Sequence, residues 1–195
     1  MAALTTIARV EKVRPPSQGG KFEDNDSLLA RATACLNAAS QWFTNEVGRD
    51  ITSAAKNYLL SGRGNKVLSL LGDWPIAAVA SVLVENEAWA QLAFGAQYAA
   101  QDYIIHPSQR YLLAIGRPWP LGVGNVQLVA TVGFSPIPED VQQVVAMLTW
   151  LLLEETNRLG ITSSTLGAER IGQLARNSKD YHFMQTTIDY YGRVF

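Results

Sequence analysis

Cysteine and histidine are scarce in this 195-residue chain, which has one cysteine, Cys35, and two histidines, His106 and His182. A single cysteine cannot form a disulfide within the chain, so a disulfide-stabilised scaffold is excluded. No pair of cysteines or histidines has the spacing of metal ligands. The two histidines lie in different segments, and neither is near Cys35 in the sequence. We therefore predict no catalytic residue, no metal site and no cofactor.

Charge is also sparse. Charged residues make up 17% of the chain and hydrophobic residues 48%, whereas an average globular chain has roughly 25% charged residues. Two explanations fit: part of the surface is covered by other subunits, or the chain has a large alanine-rich core. The net charge is −1, from 16 basic and 17 acidic residues, so the chain lacks the basic excess of a dedicated nucleic-acid binder.

Long apolar runs are missing too. The longest, Val144 to Leu153, is interrupted by Thr149 and is far shorter than the roughly 20 residues that span a bilayer. The first residues, MAALTTIARVEKVRPP, lack the apolar stretch of a signal peptide. We expect no membrane partner and a cytoplasm-like site of assembly.

Two local patterns give only a superficial hint of an active site. Ser61-Gly62-Arg63-Gly64 lacks the lysine and the spacing of a phosphate-binding loop, and is typical of a hairpin turn. Glu154 and Glu155 are adjacent, so on a helix they point about 100° apart and cannot share a substrate. We predict that the two glutamates form a solvated patch.

Two long helices are predicted from apolar spacing. The first begins with Asp26 or Ser27 as its cap and ends at Gly48. The second begins at Pro138-Glu139-Asp140 and runs to Gly160, with apolar residues on more than one face. The apolar face of the first helix comprises Leu29, Ala32, Leu36, Ala39, Phe43 and Val47.

The region between the helices has the pattern of short strands and turns. Residues Trp89 to Ala100 fit a strand or a helix equally well. Elsewhere we predict a hairpin of Tyr58–Leu60 and Val67–Leu71, a strand at Ile76–Val84, short strands on either side of His106-Pro107-Ser108, a rigid corner at Arg117–Gly122, and an alternating strand at Asn125–Gly133.

The two ends differ from the middle of the chain. Residues 1–25 contain Pro15-Pro16 and Gly19-Gly20 without periodicity, which indicates an extended arm. From Ile161 the sequence has no clear apolar periodicity, and towards the C-terminus it becomes rich in aromatic residues. Such a terminus either docks on a partner or forms a helix that packs on its own domain. Its aromatic residues are Tyr181, Phe183, Tyr190, Tyr191 and Phe195.

A capped helix and a series of short motifs at and after its end follow one another over roughly residues 27 to 172. The motifs are NEVGRD at 45–50, LSL at 68–70, WP at 74–75, YIIHP at 103–107, WPLG at 119–122, NV at 125–126, GFSPIPEDV at 133–141 and GAERIG at 167–172. This series resembles the head-to-tail connector (adaptor) proteins of tailed bacteriophages.

The resemblance implies a mainly α fold with a β-rich insertion. A small helical core of two long helices and shorter ones would carry a β-hairpin and strands between them, with extended N- and C-terminal arms. The expected division is an N-terminal arm at 1–25, an adaptor domain at 26–172 with its β insertion at about 54–133, and a C-terminal docking tail at 173–195.

The resemblance also implies a function without catalysis. The protein would be a structural virion protein of the neck, assembled in the host cytoplasm into a ring, commonly of twelve copies. That ring would dock on the portal protein, join it to a tail-completion or tail-terminator protein, and leave an axial channel through which DNA passes without sequence-specific binding. The alternatives are that the chain is itself a tail-completion or tail-terminator protein, or a small oligomeric enzyme.

The candidate contact residues come from the composition of their segments. The aromatic residues Tyr181, Phe183, Tyr190, Tyr191 and Phe195 are the candidates for docking on the portal. Trp74 and Trp119 are the candidates for the subunit interface, because rigid aromatic side chains anchor many interfaces. The alternative for both tryptophans is that they fill the core of their own domain.

Overall fold

A computed structural model describes residues 3–13, 22, 25–70, 72–85, 87–88, 102–159 and 168–192. The chain divides into two compact units. The helical unit is formed by Met1–Ile51 and Pro136–Gly192, and the β unit by Thr52–Ser135. In chain order the elements are α1 (Ile7–Val13), α2 (Asp26–Val47), β1 (Ala54–Leu60), β2 (Val67–Ser69), β3 (Ile76–Val84), β4 (Glu87–Ala88), β5 (Tyr103–Ile105), β6 (Tyr111–Ala114), β7 (Val126–Val132), α3 (Glu139–Leu159), α4 (Ala168–Arg176) and α5 (Tyr181–Tyr191).

The fold class is mixed α/β. The part of the chain that the structure describes contains five helices and two antiparallel sheets. The predicted order, with strands inserted between two long helices, is confirmed. The expectation of a mainly α fold is met only in part, because the strands form a unit of their own with its own buried core.

The two long helices begin and end close to the predicted residues. Asn25, rather than Asp26 or Ser27, caps α2: its side chain accepts a hydrogen bond from the Leu28 amide at 3.0 Å. Gly48 ends α2 in the left-handed conformation, with a φ of 72°. The α3 helix begins at Glu139, as predicted, and packs against α2.

The two ends of the chain are not extended arms over the residues that the structure describes. Near the N-terminus, α1 packs on α3, and its Val10 is completely buried. Near the C-terminus, α5 packs on α2 and α3 through Met184, Ile188 and Tyr191. The spacing of these three residues puts them on one helix face. Their burial stabilises the helix although the surrounding sequence has no clear apolar periodicity.

The β unit contains two sheets. One has four strands in the order β1-β7-β3-β4, and the other has three in the order β2-β6-β5. The predicted strands at Ile76–Val84 and Asn125–Gly133 are confirmed as β3 and β7, and β7 alternates between buried and more exposed residues as expected. The turn at His106-Pro107-Ser108 joins β5 and β6, as predicted.

The predicted hairpin of Tyr58–Leu60 with Val67–Leu71 is wrong. The first segment lies in β1 and pairs with β7, whereas the second lies in β2 and pairs with β6 in the other sheet. The glycine-bearing segment between them crosses from one sheet to the other. It is held by the backbone of Trp119 and Gly122 and by the Asn125 side chain rather than by its own flanking strands.

Glu155 is a buried carboxylate rather than part of a solvated patch. It accepts hydrogen bonds from Arg158 at 2.9 and 3.0 Å and from Arg170 at 2.5 Å, and so ties α3 to α4. The hydrogen bonds from Arg158 and then Arg170 lower the pKa of the Glu155 carboxyl from its ordinary 4.5 to about 2. The ionised form is therefore the one that the folded helical unit favours.

This lowered pKa predicts how Glu155→Gln depends on pH. A carboxylate with a lowered pKa in the folded state stabilises that state above its ordinary pKa, and this contribution is lost as the pH falls through the folded value. We expect Glu155→Gln to lower the melting temperature, followed by the helical circular dichroism signal, by a constant amount above pH 4.5. The difference from wild type should shrink as the pH falls from 4.5 towards about 2.

Glu154→Gln is the matched control, because Glu154 is the exposed neighbour on the same helix. At pH 7 it should lower the melting temperature less than Glu155→Gln does, because interactions of exposed charged side chains contribute little to stability. A Glu155→Gln deficit that persists unchanged down to pH 2 would contradict the assignment.

Candidate interaction surfaces

An exposed loop of the β unit, residues 117–125, is anchored by Trp119. The Trp119 side chain is completely buried, and its indole N–H donates a hydrogen bond to the Lys66 carbonyl at 3.1 Å. Its backbone N–H donates to the Asn65 carbonyl at 2.8 Å. The tryptophan thus fixes the loop to the segment between β1 and β2.

Asn125 fastens the same loop from its other end. Its side-chain oxygen accepts a hydrogen bond from the Gly62 amide, and its side-chain NH2 donates to the Pro120 carbonyl, each at 2.9 Å. The Gly122 amide donates to the Gly62 carbonyl at 3.1 Å, and the Gly124 amide to the Ser61 hydroxyl at 3.0 Å. With its polar groups satisfied in this way, the loop has a defined shape.

This loop and the neighbouring end of β1 expose three aliphatic side chains to solvent, which we call the apolar knob: Leu59, Leu121 and Val123. Their exposed fractions are 67%, 81% and 97%. Leu59 lies beside the loop, with its Cδ2 3.5 Å from the position that a Cβ on Gly124 would take. Aliphatic side chains clustered on a fixed loop are typical of an interaction surface, because their exposure to water does not stabilise the fold.

The two candidate interface tryptophans belong to the core of the β unit. Trp119 is inaccessible to a partner, and its ring lies 6.1 Å from that of Tyr103. Trp74 is 9% exposed, stacks edge-on against Phe134 at 5.6 Å, and is covered by the Arg110 guanidinium at 4.6 Å from its ring centroid. The alternative that they fill their own core is therefore the one that the structure supports.

The aromatic side chains of α5 divide between surface and core. Tyr181, Phe183 and Tyr190 are 36%, 41% and 59% exposed. Tyr191 is buried and donates a hydrogen bond from its hydroxyl to the Asp140 carboxylate at 3.1 Å. Burial, followed by the Asp140 charge, raises the pKa of the Tyr191 phenol above its ordinary value.

Tyr191 is thus part of the packing of the helical unit and is not available to a partner. Phe195, the fifth candidate, and the ambiguous segment Trp89 to Ala100 lie outside the described residues. The exposed aromatic set of α5 that remains is Tyr181, Phe183 and Tyr190. Phe183 and Tyr190, seven residues apart, share one face of the helix, and Tyr181 lies on the opposite side.

The helical unit has a groove along one face of α3, which we call the α3 groove. Its floor is formed by Met147, Trp150 and Leu151, and its cavity volume is about 660 Å³. The end of α1 lines one part of the groove and the turn at Asn177–Asp180 another. Four charged residues also line it: Lys12, Glu154, Lys179 and Asp180. An apolar floor with a charged rim is the usual anatomy of a protein–protein interface.

The residues that the structure describes contain no group of three or more histidine, cysteine or acidic side chains that could hold a metal ion. None of the helices among them is long and apolar enough to span a bilayer. His106 stacks on Tyr111 at 4.3 Å and contacts the Ser108 hydroxyl at 2.8 Å, which accounts for it as a turn residue.

No protein-family model matches the chain, and no curated protein matches it either. Similar solved structures come from gene transfer agent (GTA) particles. A chain from the neck of an empty GTA particle, computed with C6 symmetry, is 17% identical with a TM-score of 0.52, over 100% of this chain and 94% of that chain.

Two other chains from GTA particles have lower TM-scores. One, from the neck of a native GTA particle computed with C12 symmetry, is 18% identical with a TM-score of 0.44, over 89% and 87% of the two chains. The other, from the virion of a native GTA particle, is 16% identical with a TM-score of 0.46, over 98% and 91%.

At these identities the likeness concerns the fold alone, and of the three chains the one from the empty particle has a TM-score above 0.5. Its match extends over the whole of this chain. Both units, and not only the two long helices, are therefore included in the similarity.

The close contact of Gly62 with the loop predicts that a side chain at this position is not tolerated. A Cβ on Gly62 would lie far inside contact distance of the Pro120 carbonyl oxygen, which is backbone and cannot rotate away. We expect Gly62→Ala to destabilise the β unit by about 1–3 kcal/mol, measured by denaturant unfolding followed through tryptophan fluorescence.

Gly116→Ala is the control, because a Cβ on Gly116 has no atom within 4 Å. It should change the free energy of unfolding by less than about 0.5 kcal/mol. Equal stabilities for the two variants would contradict the proposed packing of the loop.

Proposed function

We propose that the chain is a structural neck protein of a tailed virion, the subunit of a head-to-tail adaptor ring that docks on the portal and joins it to the tail. The observation that carries this proposal is the fold likeness to the neck chain of an empty GTA particle, which extends over 100% of this chain. The order of motifs over residues 27 to 172, which resembles the phage connector proteins, supports it independently.

Assembly into a ring accounts for the surface features. In a closed ring, one face of each subunit docks on a different face of the next, so each chain needs two unlike contact surfaces. The apolar knob and the α3 groove are two such surfaces on different units of the chain. The neck that contains the similar chain was computed with C6 symmetry, with which a ring of six or of twelve copies is compatible.

The ring would serve as a passive conduit for DNA. The net charge of −1 suits this role, since a strongly basic subunit would hold the genome back as it passes. Within this proposal the chain acts in the virion without catalysis or cofactor, and its partners are its own copies, the portal protein and a tail-completion or tail-terminator protein.

The exposed aromatic set of α5 is the proposed contact with the portal. Tyr181, Phe183 and Tyr190 combine large apolar area with few rotatable bonds, which makes such side chains effective anchors. They lie on a helix that packs on its own unit through Met184 and Ile188. Portal docking would therefore use a preformed helix rather than a tail that folds on binding.

The mass of the purified protein in solution, alone and mixed with a portal ring, tests the proposed function. We expect either a ring of twelve times the 21.3 kDa subunit mass, or a monomer that becomes such a ring on the portal. Light scattering coupled to size exclusion distinguishes these outcomes.

A chain that stays monomeric with and without portal would contradict the adaptor proposal. Binding to tail-tube components in place of portal would instead favour the tail-completion or tail-terminator alternative.

Replacing the exposed aromatic set by glutamine tests the proposed portal contact. The triple variant Tyr181→Gln, Phe183→Gln and Tyr190→Gln should keep the helical circular dichroism signal, because these side chains lie on the surface. Its Kd for the portal should rise at least about tenfold, as expected when anchor side chains are lost. The measurement is surface-based or calorimetric titration of portal rings.

Tyr191→Phe serves as the control, since Tyr191 is buried and should not touch the portal. If the triple variant bound the portal as tightly as Tyr191→Phe and wild type, the portal contact would lie elsewhere on the chain.

A further inference from the structure

A second cavity of the helical unit lies between α2, α4 and α5, and its volume is about 280 Å³. Buried apolar side chains form part of its wall, namely Ala175, Met184 and Ile188. Trp42 and Arg176 contribute polar groups to the same wall. A concave space lined by apolar side chains and a few polar groups has the usual anatomy of a ligand site.

Trp42 presents an unpaired hydrogen-bond donor to this cavity. Its side chain is 7% exposed, and its indole N–H has no acceptor among the residues that the structure describes. The Nε1 atom lies beside Gly172, 3.8 Å from the position that a Cβ on this glycine would take. Because a buried donor without an acceptor is unfavourable, an oxygen atom that enters the cavity at this point gains a hydrogen bond.

Arg176 places a second donor at the same corner of the cavity. Its Nη2 atom lies 3.9 Å from the same Cβ position on Gly172. Arg176 is exposed, and no described acidic side chain forms an ion pair with it. Hydrogen bonds from a guanidinium to an ionised oxygen are about twice as strong as those between neutral groups. The corner between the two donors therefore favours a negatively charged oxygen.

Gly172 keeps this corner open. It lies in the middle of the nine-residue helix α4, where glycine is less favourable than alanine. A Cβ at this position would make only ordinary van der Waals contacts, with the two donor side chains. The packing of the helical unit thus has room for alanine, and the glycine is explained by the space that a ligand needs.

The other polar groups of the cavity wall are weaker determinants. The Tyr181 hydroxyl donates to the Gln185 side-chain oxygen at 3.1 Å, and the Gln185 amide donates to Asp189 at 2.7 Å. Glu46 is exposed on α2, one turn after Trp42, and its charge opposes an anion in the cavity. Charges of both signs therefore line the cavity, but the two polar atoms beside Gly172 are both donors.

We infer that the corner at Gly172 is a carboxylate-binding site, in which the ligand accepts hydrogen bonds from Trp42 Nε1 and Arg176 Nη2. The carboxylate can belong to an acidic side chain of a partner polypeptide or to a small free acid, because both offer the same oxygen atoms. The site belongs to the single chain, so the inference does not depend on the ring that we propose above.

Nuclear magnetic resonance of the indole N–H groups tests this inference directly. The chain has five tryptophans, and the signal of Trp42 is the one that Trp42→Phe removes. The probe is N-acetyl-glutamate N-methylamide at pH 7, titrated into the full chain. We expect the Trp42 signal to move progressively and to saturate with a millimolar Kd, because the N–H gains an acceptor.

The uncharged analogue N-acetyl-glutamine N-methylamide is the matched ligand control. Its Kd should be at least about tenfold higher. A Trp42 signal that does not move with the glutamate probe, or that moves equally with both probes, would overturn the inference. Acetate distinguishes the two sources: a Kd equal to that of the glutamate probe assigns the site to small free acids, and a higher one assigns it to an acidic side chain.

Three variants test the residues of the corner. Arg176→Gln should raise the Kd of the glutamate probe at least about tenfold, whereas Arg31→Gln, an exposed arginine of α2 outside the cavity, should not change it. Gly172→Ala should keep or raise the melting temperature and still weaken binding, because its methyl group occupies the corner.

Glu46→Gln should lower the Kd, since it removes a repelling charge. Equal Kd values for Arg176→Gln and Arg31→Gln, or a Kd that Glu46→Gln raises, would contradict a carboxylate as the ligand.

Discussion

The contact between Gly62 and the loop at 117–125 is the constraint on which the β unit depends. The Asn125 side chain bridges the Gly62 amide and the Pro120 carbonyl, and only a residue without a Cβ fits at position 62. This contact holds the crossing segment between the two sheets, keeps Trp119 in the core and presents Leu121 and Val123 to solvent. The requirement for glycine at position 62 therefore affects both the packing of the β unit and the surface that we assign to assembly.

The elements with strong local signals could be predicted from the sequence. Helix α2 and strand β7 follow from apolar periods of 3.6 and 2, and the glycine after Val47 marks where α2 ends. The same local signals could not show that the predicted hairpin of Tyr58–Leu60 and Val67–Leu71 is wrong. Gly62 and Gly64 satisfy the requirements of a tight turn, but their hydrogen-bonding partners lie about 60 residues away in the loop at 117–125. Long-range backbone contacts of this kind leave no periodic trace in the sequence.

The candidate contact residues were likewise predictable from the sequence only in part. Composition identifies Trp74, Trp119 and Tyr191 as large side chains that need a partner, but it does not say whether that partner is the chain's own core, which is where all three lie. The apolar knob had a detectable signal: Leu121 and Val123 alternate with glycine in a segment that has no strand period. Apolar residues that a turn does not require are better candidates for an interface than tryptophans flanked by strands.

The central claim is that copies of this chain form a ring that docks on the portal through α5. The most direct measurement is a cryo-electron microscopy map of the chain assembled on portal rings, at a resolution that shows side chains. We expect a closed ring with density for the exposed Phe183 and Tyr190 of each copy against the portal. A map without a ring, or a ring in which α5 faces solvent, the channel or another protein, would contradict this claim.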